Sequence, residues 1–139
     1  MMTVACPFCN IASGKAEASI VYQDDNILAL MALNPSSVGH TLVIPRKHWE
    51  NIYEVPEKTL GEIAAVVKRV SVAVKKTVGA DGIKLIQLNG KAAGQVVMHI
   101  HFHVIPIISN SGAAVGQRGR INTERNELDE IAKKIQENL

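Results

Sequence analysis

Residues 99–106 read HIHFHVIP and hold three of the five histidines in the chain. In an extended strand successive side chains point to opposite faces, so His99, His101 and His103 share one face and Ile100, Phe102 and Val104 the other. The apolar row suits a buried core. The imidazoles should then line up about 6.6 to 6.8 Å apart along an open or half-open surface. A merely solvated strand face is the plain alternative. With histidine this sparse, three at i, i+2 and i+4 arise by chance in well under about one such sequence in a hundred, so the row reads as a site. What kind of site depends on what the rest of the chain brings to it.

Just upstream, 83–88 (IKLIQL) is an apolar run of strand length, and 89–94 (NGKAAG) is a loop with two glycines. Further back, 20–23 and 27–31 are β-prone runs flanking Asp24, Asp25 and Asn26, the pattern of a hairpin. Asn34, Pro35, Ser36, Ser37 and Gly39 form a loop, 40–44 (HTLVI) is a strand closed by Pro45, and 46–55 is irregular. Leu60, Ile63, Val67, Val70, Val74 and Val78 recur at three- and four-residue spacing, Pro56 suits a first helical turn and Gly79 a last one. This spacing predicts a helix over 56–78. Downstream, 109–119 (SNSGAAVGQRG) reads as a mobile loop. Asn122 then caps a second helix carrying Leu128, Ile131, Ile135 and Leu139. Strands, one long helix and further strands predict an α+β fold with a mostly antiparallel five-stranded sheet.

A chain of 139 residues with 47% hydrophobic content is enough for one domain, 1–139, around one core. A net charge of +2, with acids and bases mixed along the chain, is too weak a bias for a nucleic-acid surface. Lys68, Arg69, Lys75 and Lys76 fall on the predicted long helix, where a solvated polar face accounts for them. The start, MMTVACPFCN, has no charged region leading into an apolar stretch, and no run approaches the roughly 18 apolar residues of a membrane span. The expectation is a cytoplasmic protein. Cys6 and Cys9 are the only cysteines. A reducing compartment argues against a disulfide, and no strand precedes the pair to make a thioredoxin-like redox motif. Metal binding is the remaining option.

The stretches LNPSSVGHTLVIPRKH and NGKAAGQVVMHIHFHVIP together resemble the histidine triad (HIT) superfamily, whose signature is His-φ-His-φ-His-φ-φ with φ apolar. Residues 99–105 match that signature at every position, and the resemblance extends from Cys6 to about Pro106. It implies a HIT-like sheet and nucleotide hydrolysis or transfer at an α-phosphate, with His101 as the nucleophile and its ring held by the backbone carbonyl of His99. The resemblance also gives His103 and His40 contacts to phosphate and bridging oxygens, and matches Asn89, Gly94, Gln95, Val96 and Val97 to a phosphate loop. Phe8, Ile11, Leu30 and Leu33, with Asn34 beside them, correspond to nucleoside-contacting positions, although an ordinary turn at 89–95 and plain core at the apolar residues are the competing readings.

Zinc-bearing relatives ligate through Cys-x-x-Cys, the histidine after the Ile-Pro-basic-basic stretch and the first triad histidine. Carried over, the set is Cys6, Cys9, His48 and His99, holding one structural zinc ion per chain. An exposed, idle His48 with Cys6 as a spectator is the alternative. Two positions depart from the family pattern. Ala32 stands where many relatives carry an aspartate that holds the ribose hydroxyls, and Val96 where the phosphoramidase branch has a serine. The expected activity is hydrolysis of nucleoside phosphoramidates or dinucleoside polyphosphates. The rivals are a nucleotide-binding zinc protein with little turnover and a nucleotidyltransferase using the same intermediate. The resemblance further implies a homodimer through the long helix and the strand after it.

Overall fold

The computed structural model of the chain describes residues 6–109 and 124–139. In chain order the elements are α1 (Pro7–Ala12), β1 (Ile20–Gln23), β2 (Ile27–Met31), β3 (Thr41–Pro45), α2 (Glu57–Val78), β4 (Gly82–Gln87), β5 (Phe102–Ile107) and α3 (Arg125–Glu137), with a 3-10 turn at Lys91–Ala93. The strands form one five-stranded sheet in the order β1-β2-β3-β5-β4, antiparallel at every step. The α+β reading of the sequence holds.

Period-two alternation on β2 builds two apolar layers. Ile27, Ala29 and Met31 join Val43 and the α2 residues Ile63, Val67, Val70 and Val74 in a large core. Leu28, Leu30 and Ala32 join Leu42, Ile44 and Phe8 in a smaller cluster on the other face. Strands buried along their whole length, as β2 and β3 are, need cover on both sides. Helices α2 and α3 supply one cover and the short α1 the other, and each aliphatic side chain so buried contributes about 1.5 to 3 kcal/mol against the entropy of ordering it.

Helix α2 follows the predicted spacing, with Val66 and Ala73 added to its buried stripe. Pro56 is its N-cap, and Gly79, at φ 67°, is its left-handed C-cap. Lys68, Arg69, Lys75 and Lys76 are exposed, and the Arg69 guanidinium lies 5.2 Å from the centroid of the Tyr22 ring.

The histidine stretch departs from a full strand. Ladder pairing begins at Phe102, and His99 sits in a bend. The Ile100 N–H donates to Trp49 O at 2.8 Å instead of to a strand neighbour. Alternation survives, because Ile100, Phe102 and Val104 all pack in the large core. The imidazole face, however, is not open: His99 and His101 are buried, since Phe8 of α1 lies against both rings. Strand β3 likewise starts after His40. Gly39 turns the chain there at φ +99°, and an added Cβ would stand 3.0 Å from Val78 Cγ1 and 3.3 Å from Pro106 Cγ. Only glycine meets both conditions while presenting His40 to the site.

Asn122 and 110–119 of the predicted loop lie outside the described residues. The cap of α3 is Glu124, in a reciprocal capping box with Glu127. Leu128, Ile131 and Ile135 pack on the large core, whereas Leu139 lies past the helix end and is exposed. Arg125 Nη1 donates to Ser19 Oγ at 2.7 Å, Ser19 donates to Asp129 Oδ1 at 2.6 Å, and Gln136 Nε2 donates to Ile20 O at 2.7 Å. These bonds fasten α3 to the start of β1. Among the described residues no helix is long and apolar enough to cross a membrane.

Candidate active site and metal centre

The Cys-x-x-Cys pair sits on α1, where Cys6 is the N-cap and its Sγ accepts from Cys9 N–H at 3.4 Å. One helical turn therefore aims both sulfurs to the same side. His48 comes from the loop after β3. That loop is held by Arg46, whose guanidinium donates to Asp24 O at 2.6 Å, Ala12 O at 3.1 Å and Gln23 Oε1 at 2.7 Å. His99 Nε2–H donates to Pro45 O at 2.8 Å, which leaves Nδ1 with its lone pair facing the sulfurs.

Four ligand atoms, one each from Cys6, Cys9, His48 and His99, lie within 4.8 Å of one another. Cys6 Sγ and Cys9 Sγ stand 3.4 and 3.6 Å from His99 Nδ1, and Cys9 Sγ stands 3.3 Å from His48 Nδ1. A tetrahedral zinc with the usual bond lengths spaces sulfur and nitrogen ligands about 3.5 Å apart, so the cluster fits one zinc ion. Electrostatics agree with the geometry. Burial, then the hydrogen bond and charge of Cys6, push the Cys9 thiol up to about 11. Burial pushes His99 down to about 4, keeping it neutral. A divalent cation reverses the first cost by stabilising thiolate and uses the second, since only a neutral imidazole ligates.

Beside the metal cluster the remaining histidines are set by backbone partners. His101 Nδ1–H donates to His99 O at 2.8 Å, so Nε2 keeps its lone pair. Burial lowers the His101 pKa and favours the neutral ring that a nucleophile needs. Ser36 N–H donates to His40 Nδ1 at 3.0 Å, and His40 Nε2 lies 3.0 Å from His103 Nδ1. His40 therefore donates to His103, whose Nε2 carries the proton. The His101 and His103 rings stand 4.9 Å apart. This is a lone-pair nitrogen next to an N–H donor, suited to attack on an anion whose developing charge needs a hydrogen bond.

The loop matched to phosphate binding is internally braced. Gln95 is buried, its Oε1 accepts from Gly90 N–H at 2.7 Å, and its Nε2 donates to Glu50 O at 2.6 Å and Val97 O at 3.0 Å. Both amide hydrogens are thus committed, and Gln95 shapes the loop rather than offering a side-chain donor to an anion. Asn89 exchanges amide bonds with Gln87 at 2.7 and 2.8 Å and accepts from Ile52 N–H at 2.8 Å. Gly94, at φ +97°, closes the 3-10 turn, and Val96 is 85% exposed at the loop tip. Val97 and Ile11 are half-buried against the α1-side cluster, which contains Phe8, Leu30 and Ala32 as buried members. Leu33 and Asn34 are exposed and stand outside that cluster. A groove of about 960 Å³ runs between α1 and 96–98, lined by Pro7, Asn10, Lys15, Glu50, Val96 and Met98 among others.

The supporting partners Pro45 O, Ser36 N–H, Trp49 O, Glu50 O and Gln87 were not legible in the sequence. Four of them act through the backbone, where any residue type supplies the same carbonyl and any but proline the same N–H. Gln87 is the exception, two positions before Asn89 on the same face of the chain.

A model of the HIT domain family matches residues 13–110. A hypothetical histidine triad nucleotide-binding protein from Sulfolobus tokodaii is 40% identical and superposes with a TM-score of 0.87, covering 96% of this chain and 91% of its own. A Zn-bound histidine triad family protein from Mycobacterium smegmatis is 34% identical with a TM-score of 0.81, again over 96% and 91% of the two chains. An adenylylsulfatase of Arabidopsis thaliana is 39% identical over 101 residues, which are 73% of this chain and 51% of that protein. A match of that extent, joined to a sheet and a ligand cluster that agree with it, makes this chain a zinc-bearing member of the HIT family.

Proposed function

We propose that the protein is a nucleotide hydrolase that cleaves at the α-phosphate of a nucleoside phosphoramidate or dinucleoside polyphosphate through a nucleotidyl-histidine on His101. One observation carries the reading: the Nδ1–H of His101 is held by His99 O at 2.8 Å, so the nitrogen left to react is Nε2. Its lone pair attacks phosphorus. The bond to the leaving group breaks, and the leaving group departs with the electron pair and takes a proton from water. The imidazolium so formed keeps its Nδ1–H on the His99 carbonyl, which stabilises the charge. His103 Nε2–H donates to a phosphate oxygen as charge builds there. Water then attacks the same phosphorus and gives up its proton to the hydroxide left by the first step, the P–N bond breaks, and the pair returns to Nε2. Zinc, when bound, cross-links α1 to His48 and His99 and supplies structure.

Gly94 turns the loop so that the backbone N–H groups of Val96 and Val97 meet the phosphate, with Asn89 beside it, and Phe8, Ile11, Leu30, Leu33 and Asn34 border the nucleoside. The Arabidopsis relative's name, an adenylylsulfatase, supports a substrate in which an adenylyl group carries an activated leaving group. Thiolate ligands on Cys6 and Cys9 suit a reducing cytoplasm. Ala32, the exposed Val96 and the committed amide of Gln95 favour one other reading, a nucleotide-binding protein with little turnover.

Incubation with nucleoside phosphoramidates, dinucleoside polyphosphates and adenylyl sulfate, followed by intact-protein mass spectrometry, separates the two. The proposal expects product and, after rapid quenching, one nucleotidyl group on His101. His101→Asn should bind nucleotide and fold normally while losing roughly a thousandfold or more in turnover. Nucleotide binding without product or adduct in the wild-type protein would establish the second reading.

A further inference from the structure

Phe8 stands between the two metal-ligating cysteines in sequence, Cys6-Pro-Phe-Cys9, and against the two central histidines in space. Its ring meets His101 edge to face, with centroids 5.0 Å apart and planes at 76°, and meets His99 at 5.6 Å and 85°. It is buried, among Leu28, Leu30, Leu42 and Ile44. The hydrogen bond from His101 Nδ1 fixes one point of the imidazole but leaves the ring able to tilt about the Nδ1 to oxygen axis. Two aromatic neighbours limit that tilt: His103, at 4.9 Å and 63°, and Phe8. Phe8 in turn rides on a helix of six residues that cannot hold itself in place. Its flanking cysteines are what anchor it.

We infer that Phe8 is a positioning residue for the nucleophile, through which the metal knuckle of α1 sets the aim of His101 Nε2. The inference rests on the proposed role of His101. Reacting atoms must be aligned to within a fraction of an ångström, and a misplacement of about 1 Å can cost on the order of 100-fold in rate. A wedge of this kind should therefore be visible in kcat and not in substrate affinity.

The test compares wild type, Phe8→Leu and Phe8→Ala with a nucleoside phosphoramidate as substrate. Measured together are kcat, KM, zinc per chain and, by crystallography, the orientation of the His101 ring. Phe8→Leu, which keeps an apolar side chain in the cluster, should retain one zinc and a KM within about threefold of wild type while kcat falls roughly 10- to 100-fold. In its crystal structure the His101 ring should be tilted from the wild-type plane with Nδ1–H still on His99 O. A raised KM at unchanged kcat, with the ring in its wild-type plane, would leave Phe8 a nucleoside contact and no more, and overturn the inference. So would wild-type kcat in both variants, or loss of zinc or fold in both, which would leave Phe8 as plain core. Were the wild type itself inactive, the hydrolase reading would fail separately, and the orientation of the His101 ring would still decide the role of Phe8.

Discussion

At the scale of single residues, the site is governed by which nitrogen of each histidine holds the proton, and burial tunes when that changes. His99 is pushed down to about 4 from the ordinary 6.5, and His101 is lowered as well, both chiefly by burial. Between those pH values the unfolded chain binds more protons than the folded one, so stability rises with pH across the window. It is fully present above about 6.5 and is lost as pH falls toward 4. Metal-free protein should accordingly melt at progressively lower temperature between those limits, and zinc should leave the holo form over the same interval, because protons compete for Nδ1. A melting temperature that stays flat across the window would show that His99 is not held neutral by burial. Ala32 offers a second test. It is buried beside Leu30 and Leu42, and its N–H donates to His40 O at 3.0 Å. Ala32→Asp should destabilise the free protein by several kcal/mol, the cost of an unpaired buried carboxylate. Ribonucleotides should recover more of that loss than their deoxy analogues, since each charge-assisted bond to a ribose hydroxyl is worth about 1.5 to 3 kcal/mol. Equal recovery by both would mean that the sugar is held elsewhere.

Among the elements, α1 is the most dependent on its partners. Six residues are too few for a stable helix in water, and its supports are Arg46 on Ala12 O, Phe8 in the small cluster and the two cysteines of the metal site. Purified protein should carry about one zinc per chain. Chelation or Cys6→Ser should release it and lower stability by at least about 2 kcal/mol, with protease-sensitive bonds appearing first around α1 and the loop at His48. Freshly prepared, unchelated protein without zinc would count against the metal centre. Helix α2 is the contrast. Its stripe from Ile63 to Val74 is buried by the sheet, so its integrity should survive metal removal.

For the whole molecule, the open question is the β4 edge. Among the described residues strand β4 has β5 as its one neighbour in the sheet, and Leu85 on it is exposed (52%), as are Val72 of α2 at 55% and Ile108 at 36%. An unpaired edge beside exposed apolar side chains is a ready surface for strand addition, and twofold pairing is the commonest closure for soluble oligomers. We expect a homodimer whose sheet continues across both copies of β4. Sedimentation at micromolar concentration should give twice the 15.0 kDa chain mass, and Leu85→Lys should shift it to monomer. A monomeric, fully active wild type would show that β4 is a protected free edge.

Much of this was legible in the sequence because it is written in local periodicity. Alternation at 99–105 placed Ile100, Phe102 and Val104 in the core and the histidines on the other face, three- and four-residue spacing set α2 between Pro56 and Gly79, and the resemblance to the HIT family named Cys6, Cys9, His48 and His99. What only the tertiary structure decided passes through the backbone or through space. Pro45 O and Ser36 N–H assign the tautomers of His99 and His40, yet every residue type but proline carries the same two backbone groups, so no letter of the sequence marks them; the His99 carbonyl on His101 is the one such contact that the family resemblance had implied. Gln95 matched a phosphate loop by position, but its amide is spent on Gly90, Glu50 and Val97. The same holds for Phe8: an aromatic next to a cysteine pair reads as pocket or core, and it becomes a wedge only when folding brings α1 over residues more than 90 positions away. Period is a property of neighbours along the chain; the closing of Cys6, Cys9, His48 and His99 round one metal ion, and the hold of Pro45 O on His99, are properties of neighbours across it.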